Sequence, residues 1–166
     1  MPDGPRPTGP DYDEDFYAWT QYQAEVLRSL RTDDNRFDRE HLAEEIEDLG
    51  KSERKAVRSE ARRILEHLLK LAYSPAAEPR ADWERSIIDA RANLEDDLSP
   101  TLRRDIEETI EKQYRIARRQ AAAAFRKYGE IDALRRLPVE CPYTLEQVLR
   151  DDWYPEPVAI KGGKNA

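Results

Sequence analysis

The longest regular pattern in the chain covers residues 38–73, which contain no proline. Its apolar residues recur at steps of three and four: Leu42, Ile46, Leu49, Ala56, Val57, Ala61, Ile64, Leu65, Leu68 and Ala72. This spacing predicts one buried face on a single helix, which would be roughly 54 Å long at 1.5 Å per residue. A helix of that length is stable only when other helices cover its apolar face. The pattern therefore predicts an all-α fold built around a long second helix.

Further helices are predicted before and after this one in the sequence. The first runs from near Asp11 or Asp13 to about Arg31, the third covers about residues 81–98 and the fourth about 100–128. Ser99-Pro100 has the composition of a helix start, and Gly129 suits a helix end. We expect an up-and-down bundle of four main helices, closed by a C-terminal segment that is partly extended and partly short helix.

The C-terminal segment contains one clear helix signal. Thr144 followed by Gln147 is a capping-box pattern, which predicts a short helix over residues 145–151. A second short helix is predicted over residues 130–137. With 166 residues, the chain suits one domain; we predict a disordered lead over 1–10, a helical domain over 11–154 and a flexible tail over 155–166. Gly50 inside helix two indicates a kink, a close approach by a neighbour or a tolerated glycine.

Charges are arranged in blocks along the two longest predicted helices. Helix two begins acidic and turns basic after Gly50, and helix four changes in the same way at Lys112. Antiparallel neighbours would pair these blocks, so we favour a structural role for the basic segment 112–127. The alternative is a groove for phosphate or nucleic acid. Nucleic acid is the less favoured partner because the adjacent acids and a net charge of −7 would repel it.

Two hypotheses concern cofactors: the protein binds none, or it binds a divalent metal ion. Carboxylates three or four positions apart on a helix share one face, and helix two offers weak candidate ligands: Glu44, Glu47, Asp48 and His67. The chain has only two histidines, whereas helical di-iron centres use paired Glu-x-x-His motifs. We therefore favour a solvated acidic face and predict no cofactor, with a divalent metal as the alternative.

Other polar residues have simpler interpretations. Glu53, Glu60 and His67 are seven apart beside the apolar face, and we expect them to hydrogen-bond to neighbouring helices. Cys141 lies between prolines and is interpreted as a structural thiol. The sequence contains no GxSxG, P-loop, GxGxxG, HExxH or paired CxxC motif. No apolar run is long enough to span a bilayer, the N-terminus does not read as a signal peptide, and a single cysteine suits a reducing compartment, so we expect a cytoplasmic protein.

Several separated motifs resemble one known family. They are YDEDFYAWTQYQAEVLR (12–28), LAEEIEDLGKSER (42–54), HLLKLAY (67–73), Trp83, RRQAAAA (118–124) and LPVECPYTLEQVL (137–149). In this order they resemble the bacterial family catalogued as domain of unknown function 29, over about residues 11–154. The resemblance implies a small, all-helical, intracellular bacterial protein and no established activity. It emphasises Tyr12, Asp13, Trp19, Glu44, Glu45, Glu47, Leu49, His67, Lys70, Trp83, Pro142 and Tyr143.

The sequence alone supports three functional hypotheses. Long amphipathic helices with charge blocks suit a non-enzymatic module that binds a protein partner or self-associates, and we favour this hypothesis. The second is a metal-binding bundle or metal-dependent enzyme that uses the carboxylates of helix two. The third is nucleic-acid binding through residues 112–127. No membrane interaction is expected.

Overall fold

A computed structural model of the chain describes residues 8–159 and contains six α-helices in that range. They are α1 (Phe16–Ser29), α2 (Arg39–Tyr73), α3 (Arg80–Asp97), α4 (Pro100–Lys127), α5 (Ile131–Arg136) and α6 (Leu145–Leu149). No strand is present between residues 8 and 159. The predicted all-α class is confirmed, with four long helices and a C-terminal segment that holds two short ones. Most of the predicted lead and tail, residues 1–7 and 160–166, lies outside the described residues.

Local capping explains where the helices begin. The Asp15 carboxylate accepts a hydrogen bond from the Ala18 amide at 3.0 Å, so α1 begins at Phe16, a few residues later than predicted. The Ser99 hydroxyl accepts from the Leu102 amide at 3.3 Å. The predicted capping box is confirmed at α6, where Thr144 and Gln147 each bond the backbone of the other. Each cap satisfies backbone amides that have no partner inside the helix.

The described chain divides into two compact units. The first contains the chain up to Val57 together with Asp97–Asp105. In this unit α1 runs antiparallel to the first half of α2: the Arg54 guanidinium donates to the Tyr17 hydroxyl at 3.0 Å, and Arg28 donates to the Glu47 carboxylate at 3.1 Å.

A close approach between α1 and α2 explains the glycine inside helix two. A Cβ atom at Gly50 would lie 2.1 Å from Thr20 Oγ1, and Thr20 is fully buried. The α-helix continues through Gly50 without interruption. The glycine is therefore a contact point that allows the two backbones to approach.

The second unit contains Arg58–Asp96 and the chain from Ile106 onward. Its core is built from the second half of α2 with α3 and most of α4, and includes Ile64, Leu65, Leu68, Leu69, Ile87, Tyr114, Ala117 and Phe125. Arg62 on α2 donates to the Gln113 side chain on α4 at 3.1 Å, and Lys70 lies in one pocket with Phe125, later on α4. The two helices thus run in the same direction within this unit, as expected where the antiparallel α3 connects them.

Arg91 on α3 holds the C-terminal segment of the second unit. Its guanidinium donates to the carbonyls of Gln147, Val148, Asp151 and Trp153 at 2.9–3.2 Å. The residue is only 3% exposed, and burying a charge is tolerable only when its donors find acceptors. Within residues 8–159, no helix is both long and apolar enough to cross a membrane.

Candidate functional site

Two leucines on the first half of α2 are exposed, contrary to the sequence prediction. Leu42 is 43% exposed and Leu49 is 57% exposed, although both belong to the apolar pattern that was predicted to be buried. The adjacent positions Ala43 and Gly50 are buried instead. Each residue is rotated by about 100° from the one before it in a helix of 3.6 residues per turn. Gly50 faces Thr20 and Gln21 of α1, so the neighbouring Leu49 points to one side of this contact.

Further exposed apolar residues lie at the end of α1 and in the loop that connects it to α2. Val26 in α1 and Leu30, which directly follows α1, are both exposed, as is Phe37 in the loop. The Leu30 carbonyl accepts a hydrogen bond from the Arg39 guanidinium at the start of α2, which holds the end of α1 beside the start of α2. We refer to Val26, Leu30, Phe37, Leu42 and Leu49 as the hairpin surface.

The acidic cluster of α2, which we define as Glu44, Glu47 and Asp48, is partly neutralised by nearby cations. Glu47 lies 2.9 Å from Lys51 and 3.1 Å from Arg28, and Asp48 lies 3.1 Å from Lys51. Hydrogen bonds from Lys51 and then Arg28 lower the pKa of Glu47. A metal ion would have to displace these cations from Glu47 and Asp48.

His67, the other candidate metal ligand, belongs to the second unit, whereas the acidic cluster belongs to the first. Its Nδ1 is buried without a hydrogen-bond partner, and burial, followed by the charge of Lys70, lowers the pKa of the imidazole. In the described part of the chain, no three His, Cys, Asp or Glu side chains are grouped so that they could hold a metal ion. The metal site stays a prediction.

The predicted hydrogen bonds from Glu53, Glu60 and His67 to neighbouring helices are wrong for the buried atoms of these residues. Glu53 Oε2 is buried without a hydrogen-bond partner, like His67 Nδ1. Glu60 Oε2 lies 3.2 Å from Arg63 on its own helix, but without the geometry of a hydrogen bond. Burial, and then the charges of Asp97 and Asp15, raises the pKa of Glu53.

Cys141 has the environment of a packed thiol. Its Sγ donates to the Tyr143 carbonyl at 3.3 Å, and its amide donates to the Glu111 carboxylate at 3.3 Å. Burial raises the pKa of the thiol to about 11. A nucleophilic cysteine needs a lowered pKa, so these observations favour the structural interpretation.

A basic groove lies beside α4 in the second unit. It has a volume of about 540 Å³ and is lined by Lys112, Arg115, Ile116, Arg118, Arg119 and Val139. Arg118 also holds the chain after α5, because its Nε donates to the Pro138 carbonyl at 2.7 Å and its Nη2 to the Leu137 carbonyl at 3.2 Å. The basic segment 112–127 thus contributes four cations to one groove, and we call it the α4 groove.

A second concavity brings together two residues that the family resemblance emphasises. Lys70 and Trp83 line a pocket of about 400 Å³ with Phe125 and Tyr128. Tyr143, another emphasised residue, is buried and packs edge-to-face against Trp153 at 5.7 Å between ring centroids. Tyr12 packs on Trp19 in the same way at 4.8 Å. The ring contacts of Tyr143, Trp19 and Tyr12 are packing contacts.

The sequence comparison decides the family. The model of the domain of unknown function DUF29 matches residues 12–154, nearly the whole chain. This protein is a member of the DUF29 family. It is similar to a crystal structure from Rhodospirillum rubrum described as an alpha-helical protein of unknown function, with 31% identity, a TM-score of 0.75, and coverage of 87% of this chain and 92% of that one. No curated protein matches the chain.

Proposed function

We propose that this DUF29 protein is a non-enzymatic module that self-associates through the hairpin surface. The observation that supports the proposal is the exposure of Leu42 and Leu49, seven positions apart on one face of α2, together with that of Val26 in α1 and of Leu30 and Phe37 in the loop between the two helices. Monomeric soluble proteins rarely expose large contiguous apolar patches, and such patches commonly mark interaction sites.

The charges of α2 favour a second copy of the same chain as the partner. Glu44 and Glu45 precede Leu49, and Lys51 and Lys55 follow it. An antiparallel arrangement about a two-fold axis places the acidic turns of one α2 beside the basic turns of the other. A parallel arrangement would place like charges together. The two-fold arrangement also brings the same surface from both copies into one contact.

The expected affinity follows from the exposed fraction of the two leucines. Complete burial of a leucine side chain contributes about 1.5–3 kcal/mol, so covering an approximately half-exposed one contributes about half as much. A two-fold contact covers Leu42 and Leu49 on both copies, four side chains in all. Their combined contribution is therefore about 3–6 kcal/mol, which corresponds to a change in Kd of about 100- to 10,000-fold.

Sedimentation equilibrium over a range of concentrations tests this proposal. We expect the wild-type protein to form a dimer and the Leu42→Gln/Leu49→Gln variant to dissociate with a Kd at least about 100-fold higher. The matched control is Ile88→Gln, because Ile88 on α3 is 55% exposed and lies outside the hairpin surface. A wild-type protein that stays monomeric up to about 1 mM, or a control that weakens the dimer equally, would contradict the proposal.

A further inference from the structure

We propose that the α4 groove binds a small ligand that carries at least two phosphate groups. The inference is independent of self-association, because it concerns a different unit and different residues.

The charge of the groove is the first argument. Lys112, Arg115 and Arg119 fall at steps of three and four on α4, so they lie on one face of the helix within about 10 Å along its axis. Arg118 adds a fourth positive charge. Among residues 8–159, no acidic side chain lines the groove. Like charges held together repel one another, and a multiply charged anion would relieve this repulsion and stabilise the folded protein.

The second argument is that two of the three guanidinium groups, those of Arg118 and Arg115, are already held by hydrogen bonds. The bonds of Arg118 to the Pro138 and Leu137 carbonyls use its Nε and Nη2, and a guanidinium has five N–H donors in total. Its remaining donors are therefore positioned without further loss of side-chain freedom. Arg115 is similarly held, because its Nε donates to the Glu111 carbonyl at 3.3 Å. Planar, fixed guanidinium groups match the oxygens of phosphate.

The size and walls of the groove indicate a small molecule. A volume of about 540 Å³ is within the usual range for small-ligand sites. Ile116 and Val139 provide an apolar wall, and Val139 is 79% exposed, so the body of a ligand could cover it while its phosphates contact the cations. A nucleoside triphosphate has this combination of groups.

The surrounding acids argue against a long nucleic acid in the same groove. On α4 the groove is preceded by Glu107, Glu108 and Glu111, and Glu140 follows Val139. A strand that extended beyond the groove would bring its phosphates close to these carboxylates. A ligand with two or three adjacent phosphates stays within the four cations. The structure thus favours a short anion.

Isothermal titration calorimetry on the full chain tests the inference with pyrophosphate and ATP as probes. Pyrophosphate tests the cations alone, and ATP tests the apolar wall in addition. We expect binding of at least one probe that weakens at least about 10-fold in the Arg115→Gln/Arg119→Gln variant, since a charge-assisted hydrogen bond contributes enough for such a change. The affinity should also fall as salt is added, because the interaction is electrostatic.

The matched control is Arg126→Gln/Lys127→Gln, which removes two positive charges from the same helix outside the groove. It should change the affinity less than about twofold, whereas equal losses in the two variants would show a general effect of net charge and overturn the proposal. Absence of binding by both probes would also overturn it. A single-stranded 20-mer that binds more tightly than either probe, and that loses affinity only in the groove variant, would replace the small ligand by nucleic acid.

Discussion

Replacement of Gly50 by alanine gives the sharpest test of the packing between α1 and α2. In an isolated helix the change would stabilise by about 1 kcal/mol. In this protein the new Cβ would lie 2.1 Å from Thr20 Oγ1 and 2.8 Å from Gln21 Nε2. Thr20 is fully buried and its hydroxyl donates to the Tyr17 carbonyl at 2.7 Å, so the side chain has little room to rotate. Relief of the clash requires α1 to move away by roughly 1 Å.

The cost of this movement exceeds the gain in helix propensity. Overpacking of a well-packed core costs about 1–3 kcal/mol. The shift would also stretch the 3.2 Å hydrogen bond from Gln21 Nε2 to the Glu47 carbonyl, which contributes about 1 kcal/mol. After subtraction of the propensity gain, Gly50→Ala is expected to destabilise the protein by about 1–3 kcal/mol.

Urea unfolding of a double-mutant cycle measures this effect. Thr20→Ala removes the hydroxyl and leaves the Thr20 Cβ position 3.2 Å from the new Cβ. Gly50→Ala should therefore cost at least about 1 kcal/mol less in the Thr20→Ala background than in the wild type. A neutral or stabilising Gly50→Ala, or equal costs in the two backgrounds, would refute the close approach.

Two further predictions concern titration and metal binding. The pKa of Glu53 is raised above its usual value of 4.5 by burial and by Asp97 and Asp15, so the folded state retains its proton in a window above pH 4.5 and stability falls as the pH rises through that window. Glu53→Gln should raise the Tm at pH 7, because it increases the free energy of unfolding by about 1 kcal/mol, and the increase should be smaller at pH 4.5. An increase that does not depend on pH would contradict the assigned cause. Chelator-stripped protein should show no change in Tm with Mn²⁺ or Zn²⁺, because cations already neutralise much of the acidic cluster. A rise of several degrees that disappears in both Glu44→Ala and His67→Ala would support the metal site instead.

Helix positions were predictable from the sequence because their signals are local. Ser99-Pro100 and the Thr144–Gln147 pair act on backbone groups within a few residues, so they set helix ends without tertiary information. The main error at a helix start was in α1, where several acids could cap the helix and only the structure shows that Asp15 does so.

Which face of a helix is buried depends on its neighbours, and the sequence could not determine it. Hydrophobicity placed Leu42 and Leu49 in the core, but α1 packs against Gly50, where the absence of a side chain allows closer contact between the backbones, and Ala43 is buried in place of Leu42. The sequence feature that could have indicated the buried face is the small residue directly after each leucine, Ala43 after Leu42 and Gly50 after Leu49.

The α4 groove could be predicted only in part. The basic composition of residues 112–127 was evident, but the groove depends on the chain after α5, which carries Val139 and accepts hydrogen bonds from Arg118. A contact between residues about twenty positions apart in sequence has no periodic pattern that would reveal it. The sequence therefore favoured a purely structural role for cations that the structure assembles around one groove.

The hydrogen bonds of Arg91 have a consequence for how the chain is made on the ribosome. Its four carbonyl acceptors lie 56–62 residues later in the sequence. A nascent chain that has not yet reached Trp153 lacks one or more of these carbonyls. The guanidinium must therefore stay hydrated until the C-terminal segment has been synthesised. The second unit consequently completes its folding only after residue 153 has emerged, and a chain cut short before residue 147 would expose the surface that the C-terminal segment normally covers.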